Sequence, residues 1–240
     1  MLRNLMIAAA ALALAGCAGE KVLEGPDAPL DRLPDGLCYA DTLVPHLRTE
    51  LKYAGCDNFV GRPIRGYEGK RAILGRPAAE ALARAARELA KLGYGLLVWD
   101  AYRPTSAMRD FYDWSKTADD AMKAQFYPNL TKRQIYAQRY IGTMSEHSMC
   151  IAVDVTLYRL DTGREVDMGG RHDLLDASSA LDSPLVTPQQ RANRRLLHDA
   201  MAAAGMRGYD KEWWHYFLPG EGPFTLWGFP VHDRMKPALR

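Results

Sequence analysis

Two short stretches, far apart in the chain, constrain the fold more than anything else. They are Ser145-Glu146-His147-Ser148-Met149-Cys150-Ile151-Ala152-Val153-Asp154 and Glu212-Trp213-Trp214-His215-Tyr216. Together they carry two imidazoles and a carboxylate of metal-ligand type, with Glu212 as a carboxylate to spare. A fold that makes use of them has to bring both to one place. A catalytic zinc takes three protein ligands, commonly His with a carboxylate, and keeps a fourth position open for water. His147, Asp154 and His215 meet that count for one Zn2+ per chain. Glu212, three residues before His215, has the character of a general acid/base. The bland alternative is that these are surface or satisfied core residues, since six His in 240 residues is unremarkable. Trp213 and Trp214 read more readily as core than as a substrate platform.

The local pattern says how the two stretches are presented. Ile151 to Leu157 is β-rich and reads as a strand entered from a loop carrying His147. On a regular strand the odd offset between Glu212 and His215 would put them on opposite faces. A turn or bulge is therefore expected at Trp213-Trp214, with His215 at a strand start, and a helical turn would serve as well. Elsewhere, Pro77 opens a helix over 78–92 that Gly93 ends. Leu96 to Trp99 is a short buried strand running into Asp100-Ala101-Tyr102-Arg103-Pro104, a charged cluster where site residues commonly sit. Thr105 to Trp114 looks helical. Thr187-Pro188-Gln189-Gln190 starts a further helix, with Gly205 as its stop. Residues 37–67 read as short strands and loops, and 115–140 as mixed and polar. Helices and short strands without regular alternation argue for an α+β fold in a single domain.

Charge and composition narrow the function. A formal net charge of +2, with Lys and Arg scattered, gives no footprint for nucleic acid. The start of the chain differs from the rest. Arg3 precedes an apolar run from Leu5 to Ala15, too short to span a bilayer at roughly 20 residues. It ends in Leu14-Ala15-Gly16-Cys17, a secretory-type segment with small residues before a cysteine. This ending resembles the lipobox of bacterial lipoproteins. The resemblance implies cleavage before Cys17, lipid on its sulfur and a membrane anchor on the periplasmic side; Ala18 after the cysteine implies the outer membrane in a diderm. Residues 1–16 are then a signal peptide, 17–36 a Gly-, Pro- and Asp-rich tether, and 37–240 the folded domain. In an oxidising compartment Cys38, Cys56 and Cys150 allow at most one pair, Cys38 with Cys56, or three buried thiols.

Ser145-x-His147-x₃-Ile151-Ala152-x-Asp154 and Glu212-Trp213-Trp214-His215 resemble the paired motifs of the D-alanyl-D-alanine dipeptidases, a family of zinc D,D-peptidases. Further segments fall in the same order as in that family: Asn58-Phe59-x-Gly61-Arg62-Pro63, Asp100 to Pro104, Asp167-Met168-Gly169, Asp182 to Leu185, and Arg191 to Arg194. The resemblance implies a small, mainly antiparallel sheet flanked by helices. It implies hydrolysis of D-Ala-D-Ala or related D,D-dipeptides by metal-activated water. His147, Asp154 and His215 would hold zinc, and Glu212 would be the acid/base. Arg103 would stabilise the oxyanion, while Asp173, with Ser145, would hold the substrate ammonium.

Two departures stand out. Met149-Cys150 replaces the usual Arg-Gly, so Cys150 has to fit a tight backbone site, crowd the pocket or lie near the metal. Gly170 and His172 stand where Thr and Phe are common, which points to altered substrate preference. The alternatives are a D,D-carboxypeptidase acting on peptidoglycan stem peptides, and a non-catalytic zinc lipoprotein that binds wall fragments.

Overall fold

Apolar runs broken by Gly, Pro and Asp divide the chain into short strands and a few helices. The computed structural model describes residues 22–25, 28–142, 144–220 and 224–238. In order, β1 (Val22–Glu24), β2 (Leu37–Tyr39), β3 (Leu47–Thr49) and β4 (Ile73–Gly75) lead into α1 (Arg76–Lys91). Then come β5 (Tyr94–Asp100), α2 (Thr105–Ser115), α3 (Lys123–Phe126) and α4 (Lys132–Ala137). The second half holds β6 (Ala152–Arg159), α5 (Pro188–Ala203), β7 (Arg207–Tyr209), β8 (Glu212–Phe217) and β9 (Phe224–Leu226).

The scaffold of the molecule is a five-stranded sheet of order β3-β5-β6-β8-β7. Only β3 and β5 run parallel; the other pairs are antiparallel. The expected α+β architecture, with a mainly antiparallel sheet and flanking helices, is what forms. Strand β6 is buried along its whole length except Arg159, so it lies at the centre of the core. Helix α1 turns Ala78, Ala79, Leu82, Ala86 and Leu89 inward. Each fully buried leucine there contributes about 1.5–3 kcal/mol through apolar burial. Gly93 closes the helix at φ 84°, a conformation costly for any residue with a Cβ. Helix α5 begins with the reciprocal cap read from sequence: Thr187 accepts from the Gln190 amide while the Gln190 side chain reaches back.

Helix α5 also fixes the loop that follows β6. Buried Arg194 donates from Nε to the Met168 carbonyl at 2.7 Å and from Nη1 to the Ser178 and Ala180 carbonyls. Asn193 Nδ2 donates to the Asp167 carbonyl at 2.8 Å. That loop carries His172 and Asp173, so its position is set by rigid structure rather than by the loop itself.

Two expectations are corrected. The stretch 17–36 is not a tether throughout its described part. Leu33 is buried and its amide donates to the Lys236 carbonyl at 2.9 Å, while Arg32 Nη1 donates to the Pro237 carbonyl. The physical reason is an apolar side chain with backbone partners from the C-terminal segment. Cys38, Cys56 and Cys150 are all free, Cys38 and Cys150 buried and Cys56 exposed. Cys17 and the segment 1–16 lie outside the described residues.

Candidate active site

Strand pairing makes the centre of the site. Asp154 of β6 stands directly opposite His215 of β8, so both side chains lie on one face of the sheet. His215 Nδ1 is 3.0 Å from Asp154 Oδ1. His147 comes from the 3-10 turn Glu146–Met149 that precedes β6. Its Nε2 lies 3.3 Å from Asp154 Oδ1 and 3.1 Å from His215 Nδ1. Among the described residues these three form a group whose ligand atoms all lie within 4.8 Å of one another.

The surroundings orient these atoms. The Ala101 carbonyl lies 2.6 Å from His147 Nδ1, and a carbonyl can only accept. The His147 ring proton is therefore on Nδ1, and Nε2 is left with its lone pair toward the other two ligands. Ser145 caps the turn, its hydroxyl accepting from the His147 amide at 3.2 Å, so its first contact is structural. Burial works to raise the Asp154 carboxyl, but the surrounding imidazoles, His147 foremost and then His172 and His215, hold it well below the usual range. His215 is raised: burial opposes its charge, and the hydrogen bond to Asp154 overrides that. Three buried groups of this chemistry, with one potential ligand atom from each within 4.8 Å of the others, fit a divalent cation such as zinc.

The Glu212–His215 offset is resolved by a bulge. Gly208 of β7 faces Tyr216, but the next residue, Tyr209, faces Glu212. Trp213 to His215 thus oppose a single step of the partner strand, and Glu212 and His215 both line one cavity. His215 lies inside β8 and not at its start, because the bulge interrupts pairing without ending the strand. Burial pushes the Glu212 carboxyl up to about 8. Trp213 and Trp214 are both core residues.

Arg103 follows β5, where a second bulge at Trp99 brings Asp100 opposite Asp154. Its Nε and Nη2 each lie 2.9 Å from Asp100 Oδ2, and Nη2 lies 3.6 Å from Asp154 Oδ2. Arg103 therefore both pairs with Asp100 and lines the cavity. Asp100 is fully buried and also accepts from the Tyr67 hydroxyl at 2.6 Å. Asp173 lines the cavity as well, in left-handed backbone at φ 58°, and its Oδ2 accepts from Tyr53 at 2.8 Å.

The cavity these residues share has a volume of about 310 Å³. That is the small end of the roughly 300–1,000 Å³ typical of ligand sites. Glu146, Tyr53 and Tyr209 also border it; sequence reasoning assigned them no role, since Glu146 and Tyr209 are marked only by nearness to the two motifs and Tyr53 by nothing local.

The departures from the family pattern fall away from the cavity. Cys150 is fully buried, belongs to neither the ligand group nor the cavity lining, and sits at φ 60°. It occupies the left-handed position that glycine serves without strain, so it changes the backbone site and not the ligand set. His172 and Gly170 line a different cavity of about 220 Å³, together with Trp99 and Trp213. Neither lines the cavity beside Glu212, although His172 touches Asp154 and Asp173, which do.

A family described as D-ala-D-ala dipeptidase matches residues 34–235. A D-alanyl-D-alanine dipeptidase of Streptomyces coelicolor is 42% identical over 195 residues, covering 80% of this chain and 96% of the relative. One from Enterococcus faecium is 39% identical over 198 residues, covering 82% and 98%. Among solved structures, a vancomycin-resistance D,D-pentapeptidase in complex with Zn(II) aligns at 16% identity and a TM-score of 0.38. The alignment covers 62% of this chain and 74% of that one.

Proposed function

The chain belongs to the D-alanyl-D-alanine dipeptidase family of peptidases, and on that footing we propose that it hydrolyses D-Ala-D-Ala or closely related D,D-dipeptides with zinc held by His147, Asp154 and His215. The observation that carries this reading is the convergence of those three ligand atoms with Glu212, Arg103 and Asp173 on one small cavity. A zinc ion there supplies Lewis acidity and brings the pKa of a bound water down to about 7.

The chain's own residues do the rest. Glu212 takes the proton from the attacking water as its oxygen bonds to the scissile carbonyl carbon. The C–N bond then breaks, and Glu212 returns the proton to the leaving amine. A base and acid in one group works best near the working pH, and burial moves Glu212 that way. Arg103, held in orientation by Asp100, meets the negative charge that develops on the carbonyl oxygen. Asp173 receives the free ammonium of the dipeptide. Ser145, which also lines the cavity, is assigned to help hold the same ammonium.

The role given to Asp173 separates a dipeptidase from a carboxypeptidase. A stem pentapeptide puts an amide where the dipeptide has its ammonium. Losing a charged hydrogen bond worth about 1.5–3 kcal/mol lowers kcat/KM by about tenfold or more. The expected result is faster cleavage of D-Ala-D-Ala than of a peptidoglycan stem pentapeptide, measured as free D-Ala released by the same preparation. Equal or faster pentapeptide cleavage moves the assignment to a D,D-carboxypeptidase.

We also propose export and lipid anchoring at Cys17. The support is the apolar run and the Leu14-Ala15-Gly16-Cys17 ending. No helix of the described residues is long and apolar enough to cross a membrane. An enzyme so placed meets dipeptides from wall turnover outside the inner membrane, and no cytosolic pool. Replacing Cys17 by alanine is expected to move the protein from the membrane fraction to the soluble fraction of the exported material. Full-length chain in the cytosol with its first sixteen residues intact contradicts the proposal.

A further inference from the structure

The imidazole of His172 is almost fully buried, in a three-sided aromatic box. Trp99, Trp214 and Tyr53 stand around it at ring-centroid distances of 5.3, 5.7 and 5.9 Å. Packing alone would be met by any flat ring of this size. The nitrogen is what packing does not explain. His172 Nε2 lies 3.1 Å from Asp154 Oδ2 and 3.4 Å from Asp173 Oδ1. Both carboxylates can only accept, so Nε2 carries the proton and donates between them.

The two oxygens of Asp154 thus have separate surroundings. Oδ1 faces His147 Nε2 and His215 Nδ1, where the ligand atoms converge. Oδ2 faces His172 Nε2, with Arg103 Nη2 farther off at 3.6 Å. A carboxylate whose second oxygen is tied to a rigid donor presents one oxygen to a metal. Without that donor the carboxylate of this chain would have more freedom to turn and offer both oxygens, which would crowd the position that a water needs.

We propose that His172 is a positioning residue that holds Asp154 to one-oxygen ligation of the metal, keeping the fourth position open, and that it also spaces Asp154 from Asp173. The inference rests on the zinc reading of the His147, Asp154 and His215 group. The donor to Oδ2 is specific to histidine at this position; a phenylalanine fills the box and donates nothing.

The test uses the purified protein loaded with Zn2+ or with Co2+, and two variants. His172→Phe keeps the ring and removes the donor. His172→Gln places an amide N–H close to where Nε2 lies. Metal affinity is read by competition with a chromophoric chelator, and coordination by the visible absorption of the Co2+ form, which weakens as coordination number rises. For His172→Phe the expected result is metal binding weaker by about 10- to 100-fold, the range for lost outer-shell partners. It should be accompanied by a weaker Co2+ absorption. His172→Gln should recover most of the affinity and the parent spectrum. If His172→Phe fails to fold without metal, His172→Gln decides: parent-like affinity and spectrum support the role. Affinity and spectrum unchanged in His172→Phe overturn it. Equal losses in both variants, with equal falls in the melting temperature of the metal-free proteins, assign His172 to packing and also overturn it. A parent protein that takes up neither metal overturns the zinc reading itself, which is a distinguishable failure.

Discussion

Replacing Glu212 by glutamine is expected to lower kcat by at least about 10²- to 10⁴-fold, the range for loss of a general acid/base, while zinc stays at its ligands. Glutamine keeps the shape and a hydrogen-bonding end but neither takes nor returns a proton. Glu212 is not one of the three converging ligands, and the bulge at Trp213 to His215 gives it its own place on the cavity wall. Metal content and turnover should therefore part company. The measurement is zinc per chain by elemental analysis beside D-Ala release from the same sample. Turnover within a few-fold of the parent shows that another group moves the proton.

The second large effect is expected at Arg103. A lysine there keeps a positive charge but loses the planar fork, and the two groups are not interchangeable at such a site. Two guanidinium nitrogens, Nε and Nη2, lie 2.9 Å from Asp100 Oδ2, and that grip fixes the direction in which the third, Nη1, points. Arg103→Lys should cost about 10²- to 10³-fold in kcat, as removal of an oxyanion donor does, with a much smaller change in KM. Lysine is the better test than alanine. Alanine would leave Asp100, which is fully buried, as an unpaired charge at a cost of about 3–5 kcal/mol. A loss confined to KM would make Arg103 a substrate-binding residue and no stabiliser of developing charge.

Much of this geometry is legible in the sequence. A β-rich run after His147 and a second motif around His215 require neighbouring strands, and β6 and β8 pair with Asp154 opposite His215. Glycine stops and a threonine cap marked the limits of α1 and α5 because those signals are local. The odd offset between Glu212 and His215 announced an irregularity; that it is a bulge inside a continuing strand depends on β7, which sequence alone does not pair. The contacts of His172 were beyond reach for the same kind of reason. Its ring is placed by α5 through Arg194 and by aromatic residues from three separate segments, none adjacent in sequence. Leu33 was missed because a single apolar residue in a Gly- and Pro-rich stretch gives no periodicity, and its partners lie at the far end of the chain. The short helices α3 and α4 escaped notice in a polar stretch because helices of one or two turns bury too few residues to leave a pattern.

The measurement that tests the central claim most directly is release of free D-Ala from D-Ala-D-Ala by the purified domain from residue 18 onward. It is made before chelation, after it, and after zinc is restored. The account predicts release that the chelator abolishes and zinc restores, with one zinc per chain in the active form. Release that survives removal of all metal contradicts the account, and so does a zinc-loaded protein that leaves the dipeptide intact.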